Sequence, residues 1–262
     1  MPEPDDDADT ALLEDAVRQG GEIAKSFLTG QNKIRSKPDG SPVSEADLAV
    51  DRFLTGRLRP ARPDYAWMSE ETADDPARLT ARRVFIVDPI DGTVAFLKGR
   101  PHFTICAAVV EGDAPVAAAV YNPLAEECFT ATRGAGTWLN GRPIRVSTRD
   151  RLEGCRMLAS KTTLHNPCWG GVPWPPMTVE TPNSMAYRIA LVACGAFDAS
   201  VSLSATHDWD LAAADLIVRE AGGLISSHKG FAPRYNRMDT TQPSVVAAGR
   251  ALYDAILSRV KA

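Results

Sequence analysis

The run Val84-Phe85-Ile86-Val87-Asp88-Pro89-Ile90-Asp91-Gly92-Thr93 constrains this chain more tightly than any other segment. Its first four residues are β-branched or aromatic, the make-up of a buried strand. The strand reaches Asp88, then meets a proline that fixes one φ angle, a second acid, and a glycine that frees the next turn. Such a bend can aim Asp88 and Asp91 into one pocket. Asp, Pro and Gly are also ordinary turn formers, so a plain turn is the competing reading. A short strand ending near Met68 runs into the acidic turn Ser69-Glu70-Glu71, so two strands carry acids at their C-terminal ends.

The segments around these strands alternate in period. Leu12, Leu13, Ala16, Val17, Ile23, Ala24, Phe27 and Leu28 recur at three- and four-residue steps, which predicts a helix from about 10 to 29. A polar loop from Ser36 to Pro42 follows, then a second helical stripe through Ala46, Val50, Phe53, Leu54 and Leu58 behind Ser44 as N-cap. Thr104 to Val110 and Pro115 to Tyr121 flank Glu111-Gly112-Asp113 as a hairpin, and the antiparallel pattern continues through Asn140. After about Ser147 come a strand near Arg156 to Ser160, a Pro-, Gly- and Trp-rich loop from His165 to Pro176, and a helix from about 183 to 195. A helix from Asp208 to Gly222-Gly223, a strand and a last helix from about 249 to 260 close the chain. The expected class is α+β passing into α/β. We divide it into an N-terminal subdomain, 1–147, with most of the acids, and a C-terminal subdomain, 148–262.

At 262 residues the chain can bury a sizeable core. A formal net charge of -4 supplies no basic field for a nucleic-acid polymer. Apolar runs such as Phe103 to Val110 are strand-sized, far below the roughly 20 residues of a membrane-spanning helix, so no membrane partner is expected. Five widely spaced cysteines, with no C-x-x-C pair and no leader ahead of them, read as reduced thiols of a cytoplasmic protein. Asp5, Asp6, Asp7 and Asp9 beside two prolines read as a solvated, frayed N-terminus.

The acids suggest a metal. Magnesium takes several oxygen ligands, usually one or two carboxylates per ion with water and substrate phosphate completing the shell. Glu70 and Asp210 are the natural partners of Asp88 and Asp91, and without a cation such a group would repel and take up protons. An aspartyl-phosphate route needs the signature D-x-D-G-T, and here Pro89 stands where that nucleophile should be. The spacing therefore favours direct attack by water.

Glu70-Glu71, Asp88-Pro-Ile-Asp-Gly-Thr93 and Trp209-Asp-Leu-Ala-Ala213 occur in this order, and with them the chain resembles the inositol monophosphatase superfamily over roughly 10 to 250. The resemblance implies an αβαβα sandwich of the sugar-phosphatase type and hydrolysis of a small phosphorylated metabolite with two or three Mg2+ ions. It implies that Glu70, Asp88 and the carbonyl of Ile90 hold one ion and that Asp88, Asp91 and Asp210 hold a second. It further implies that Glu70 and Thr93 orient the attacking water, with Asp47 in the outer shell beside a third, weaker ion. Asp91, Gly92 and Thr93 would bind the phosphate, helped by the unpaired N–H groups of a short helix from Thr93 to Lys98. Lithium sensitivity and a homodimer are implied as well.

Two of these residues carry structural alternatives. Asp47, three residues after Ser44, can close a capping box. Arg188, on an amphipathic helix, can be a solvated cation. Glu71 is left out of the metal set, and His207 is placed no more firmly than near Asp210.

For the substrate three families compete. The stretch from Ser36 to Val43 with Ala46-Asp47 and Ser69-Glu70-Glu71 is similar to the branch that removes the 3'-phosphate of 3'-phosphoadenosine 5'-phosphate, and Arg188 falls where that branch carries a basic residue. Inositol 1-phosphate is disfavoured because Ser202 and Leu203 stand where an acid contacts sugar hydroxyls in inositol monophosphatases. Gly99-Arg100-Pro101 is similar to histidinol-phosphate phosphatases, though the segment from Asp198 to Asp210 is one residue long for them. The bisphosphate nucleotide ranks first, with Arg188 and Asp210 facing the leaving group. A non-catalytic protein on the same fold, binding an RNA polymerase or ribosomal partner, is the reading of another class.

Overall fold

The computed structural model describes residues 5–28, 34–36 and 42–260. Helix α1 (Asp6–Ser26) opens the fold, a small ribbon of β1 (Ile34–Ser36) and β2 (Pro42–Ser44) follows, and α2 (Glu45–Ala61) starts behind Ser44. A seven-stranded sheet comes next: β3 (Ala66–Ser69), β4 (Arg83–Asp91), β5 (Thr104–Glu111), β6 (Ala114–Asn122), β7 (Glu127–Thr132), β8 (Gly136–Leu139) and β9 (Arg142–Pro143), in that spatial order. Only the β3–β4 pair is parallel. The short α3 (Thr93–Leu97) sits between β4 and β5.

The second half builds a five-stranded sheet from β10 (Arg156–Leu158), β11 (Thr178–Glu180), β12 (Ala199–Ser202), β14 (Gly223–Ser226) and β16 (Val245–Gly249), in the order β11-β10-β12-β16-β14. A ribbon of β13 (Thr206–His207) and β15 (Thr241–Gln242) lies apart from it. Its helices are α4 (Lys161–Leu164), α5 (Met185–Ala193), α6 (Asp208–Glu220) and α7 (Arg250–Leu257).

Strand alternation sorts the core into layers. Phe85, Val87, Ile105, Ala107 and Val109 face α1 and α2, while Val84, Ile86, Ala108 and Val110 face α5 and α6. Along β16, Val245 and Ala247 join that same α5–α6 core, whereas Val246 and Ala248 turn to α7, Trp169 and Leu252. The stack is thus helix, sheet, helix, sheet, helix, the expected αβαβα sandwich.

Two expectations at the N-terminus change. Met1 to Pro4 lie outside the described residues, but from Asp5 onward the chain is not a frayed acidic tail. Asp5 caps α1 by accepting N–H bonds from Asp7 and Ala8, which moves the helix start back to Asp6. Asp9 is fully buried, where it meets Arg62 at 2.7 Å, Arg83 at 2.8 Å and the Tyr65 hydroxyl at 2.8 Å. Likewise the 165–176 loop is packed by its tryptophans: Trp169 is buried, and the two indole N–H groups donate to the carbonyls of Thr163 and Leu164. All five cysteines are free thiols. No described helix is long and apolar enough to cross a membrane.

Candidate active site

Strand β4 does not stop at Asp88 but runs on to Asp91, with a shift in its register against β5. Asp88 opposes Cys106 and Asp91 opposes Thr104, so three steps on β4 match two on β5. In a regular strand, residues three apart point to opposite faces; the extra residue of this bulge brings both acids to the face that Cys106 and Thr104 share. It is the face covered by α6, whose first turn carries Asp210. Ligand oxygens of Asp88, Asp91 and Asp210 consequently lie within 4.8 Å of one another, and no other such group occurs among the described residues.

Each carboxylate is held differently. Asp88 is fully buried; one oxygen accepts the Ile90 N–H at 3.0 Å and the other, Oδ2, has no partner. Asp91 accepts the Ser184 hydroxyl at 2.7 Å and the N–H groups of Ala186 at 2.7 Å and Met185 at 3.2 Å, so the N-terminus of α5 is aimed at it. Asp210 accepts from the Thr206 hydroxyl and from the His207 N–H at 2.6 Å. Glu70, half-buried just past β3, is close enough for its charge to act on Asp47, Asp88 and Asp210. Its turn is braced by buried Asp51, which accepts the hydroxyls of Ser69 at 2.6 Å and Thr72 at 3.1 Å.

The crowding appears in the acidities. Burial, then the charges of Glu70, Asp91 and Asp210, pushes Asp88 well above the usual carboxylate range. Burial, followed by the Asp210 charge, pushes Asp91 up to about 7, with the Ser184 and α5 bonds pulling the other way. Asp210 and Asp47 are raised too, chiefly by burial. An orphaned oxygen among acids that cannot all ionise comfortably is a site that a cation completes, and the donors gathered here are oxygens, as a hard divalent ion prefers.

Thr93 links this cluster to α2. Its hydroxyl reaches Asp47 Oδ1 at 3.2 Å and the Ile90 carbonyl at 3.1 Å. Asp47 Oδ2 meanwhile accepts the Ser44 N–H at 2.8 Å and hydroxyl at 2.6 Å, so Asp47 both closes the capping box and touches Thr93. Gly92, the N-cap of α3, sits at φ +93°, and a Cβ there would lie 2.8 Å from the His102 carbonyl oxygen and 3.1 Å from the Ser184 nitrogen. Only glycine lets the turn seat this closely against α5. No side chain caps α3, whose first turn starts directly after the acids.

Arg188 is not a solvated cation. It is buried on α5, donates to the carbonyls of Leu158 at 2.8 Å and Val201 at 2.9 Å, and feels the charge of Asp91; burial lowers its pKa to about 10. His207 stacks on Trp209 at 4.6 Å between ring centroids, with His207 exposed beside Asp210. Ser202 is buried and Leu203 half-buried, and neither supplies an acid. Residues 37–41 of the loop that suggested a bisphosphate nucleotide lie outside the described residues. Sequence reasoning missed Ser184, Thr104, Thr206 and Asp51. Ser184 alone had a signal, a serine just ahead of a helical stripe.

A five-layer αβαβα protein with carboxylates gathered at the end of a bulged strand has the layout of a sugar-phosphatase-type hydrolase. Residues 5–262 match the model of the inositol monophosphatase family. The chain is 33% identical to "Inositol-1-monophosphatase" of Mesorhizobium japonicum, over 95% of this chain and 94% of that protein. It is 35% identical to "Nus factor SuhB" of Xylella fastidiosa, over 85% and 83%. The solved extragenic suppressor protein suhB of Bartonella henselae superposes with a TM-score of 0.84 at 27% identity, covering 97% of this chain and 98% of that one. The chain belongs to the inositol monophosphatase family. Its members are metal-dependent phosphatases that hydrolyse phosphate monoesters, and this protein is such a hydrolase.

Proposed function

We propose that the protein hydrolyses the monoester of a small phosphorylated metabolite with Mg2+ at Glu70, Asp88, Asp91 and Asp210, and that 3'-phosphoadenosine 5'-phosphate is its first-choice substrate. The observation that carries the metal reading is the buried, unpartnered Oδ2 of Asp88 among other acids. One ion would be held by Glu70, Asp88 and the Ile90 carbonyl and a second by Asp88, Asp91 and Asp210, with a third, weaker position near Asp47. When bound, the ions neutralise the charge of the ester and make a neighbouring water more acidic.

The chain's own groups supply position. Glu70 and Thr93 orient the attacking water, and the Thr93 hydroxyl is steadied by Asp47 and the Ile90 carbonyl. The N–H groups of Gly92 and Thr93 receive the phosphate oxygens, at a helix start that no side chain caps. Asp210 stands on the leaving-group side. Arg188 enters as a buried positive charge near Asp91, since its guanidinium is committed to two carbonyls.

Two features support a nucleotide over a polyol. The stacked His207–Trp209 pair beside Asp210 offers an aromatic face, which suits a purine. The absence of an acid at Ser202 and Leu203 removes the group that would bind ring hydroxyls. Lithium competition at the second ion and a homodimer follow from the family resemblance alone, and a cytoplasmic setting from the five widely spaced cysteines.

The test is phosphate released from 3'-phosphoadenosine 5'-phosphate, inositol 1-phosphate and histidinol phosphate with Mg2+. The nucleotide should show the highest kcat/KM, and a more than tenfold preference for histidinol phosphate overturns the ranking. A second, non-catalytic reading draws on the relative called a Nus factor. Failure to hydrolyse a generic aryl phosphate with Mg2+ would favour it.

A further inference from the structure

Behind Asp91 runs a buried chain of hydroxyls that no catalytic role uses. Ser184 Oγ donates to Asp91 Oδ2 at 2.7 Å, Thr104 Oγ1 lies 2.9 Å from Ser184 Oγ, and Cys106 Sγ lies 3.3 Å from Thr104 Oγ1. Ser184 and Thr104 are fully buried and Cys106 is 1% exposed, so water does not complete the chain.

The direction of every bond is forced once Asp91 is ionised. A carboxylate only accepts, so the single Ser184 proton goes to Asp91. Ser184 Oγ then accepts, from the Tyr187 N–H at 2.9 Å and from the Thr104 hydroxyl. Thr104 has spent its one proton and must accept from Cys106, whose thiol is kept protonated because burial pushes its pKa well up. The result is a one-way donor chain, Cys106 to Thr104 to Ser184 to Asp91, crossing from β5 to α5. Each link polarises the next, so the far end strengthens the bond that Asp91 receives.

We propose that Thr104 is a positioning residue for the cation site: its hydroxyl locks the Ser184 proton onto Asp91 and so sets how firmly Asp91 holds a divalent ion. This rests on the reading of Asp91 as a metal ligand. Groups that hold a metal ligand from behind typically alter affinity by about 10–100-fold. Thr104 is one bond further out, so an effect of about 3–10-fold is expected.

Thr104→Val keeps the shape of the side chain and deletes only the hydroxyl, and Thr104 does not cap a helix. Mg2+ titrated by calorimetry into the metal-free protein should bind Thr104→Val about 3–10-fold more weakly, with Thr104→Ser within twofold of wild type. The metal-free Thr104→Ser should melt near wild type, and Thr104→Val somewhat lower, because it leaves the buried Ser184 hydroxyl and Cys106 thiol one bond short. Equal affinity for Thr104→Val and wild type overturns the proposal, as does an equal loss in Thr104→Ser, which would make packing the cause. Thr104→Ala repeats the test should the valine variant fail to fold. Asp91→Asn separates the two levels: unchanged binding there sinks the ligand reading itself, whereas lost binding there with normal Thr104→Val sinks the positioning role alone.

Discussion

Asp91 is pulled in two directions by its surroundings. Burial and Asp210 favour its neutral form, while Ser184 and the α5 N–H groups favour its charge, and the balance stands at about 7 against an ordinary 3.8. In the metal-free protein a raised acid binds its proton more tightly folded than unfolded. Its contribution to stability is therefore full below about pH 4 and is lost as pH rises through about 7. Lowering the pH from 8 to 6 should stabilise the metal-free fold by roughly 1 kcal/mol, about 2–4 °C in melting temperature. Asp91→Asn should make that slope shallower, the raised acids Asp88, Asp210 and Asp47 keeping the remainder, and leave the metal-free protein as stable as wild type or firmer, while hydrolysis is lost. Thermal melts across pH, with a parallel phosphate-release assay, check this; a large drop in the melting temperature of Asp91→Asn would mark the acid as structural.

At the level of elements, the helices were legible because their apolar period is long and uninterrupted. Ser44 announced α2 and the small residues after Trp209 announced α6. The passage of β4 through Pro89 to Asp91 was not legible, because Pro, Asp and Gly signal a turn locally, and only pairing with β5 turns that signal into a bulge. Asp88, Asp91 and Asp210 could be picked out from sequence as acids that come together, yet of the groups that hold them from behind only Ser184 left a signal. Thr104 sits in a strand with no motif, and its role exists only through contact with Ser184, 80 residues away. The acidic start of α1 misled for a related reason. Charge alone reads as solvation, but Arg83 and Arg62 are far along the chain, and they draw Asp9 fully inside. Removing one partner of a buried ion pair costs about 3–5 kcal/mol. Arg83 keeps Asp6 and Glu111, so Asp9→Asn should fall at the low end, about 3 kcal/mol. Denaturant titration should show that loss, and a change below about 0.5 kcal/mol would return the N-terminus to the frayed reading.

For the whole molecule the decisive fact is that one apolar core is shared by both sheets. Met68, Val84 and Ile86 from the first and Ile225, Val245 and Ala247 from the second meet on the same α5–α6 layer. We therefore propose that 1–147 and 148–262 are halves of one cooperative unit and not separately folding domains. Arg188 sits at their seam. Its helix packs toward the first sheet, and its guanidinium bonds the carbonyls of Leu158 on β10 and Val201 on β12, strands of the second. Arg188→Met preserves much of the volume but leaves two buried acceptors without that donor, at about 1–3 kcal/mol each before relaxation. A total near 3 kcal/mol should lower the melting temperature by roughly 6–12 °C while the melt remains a single transition. Arg188→Lys should recover less than half, because the shorter side chain must bring a more strongly hydrated ammonium to the place of the single terminal nitrogen that makes both bonds. Calorimetry decides the matter: two resolved transitions in either variant would show that the halves fold independently, and an unshifted melt would show that the buried guanidinium is not what ties them.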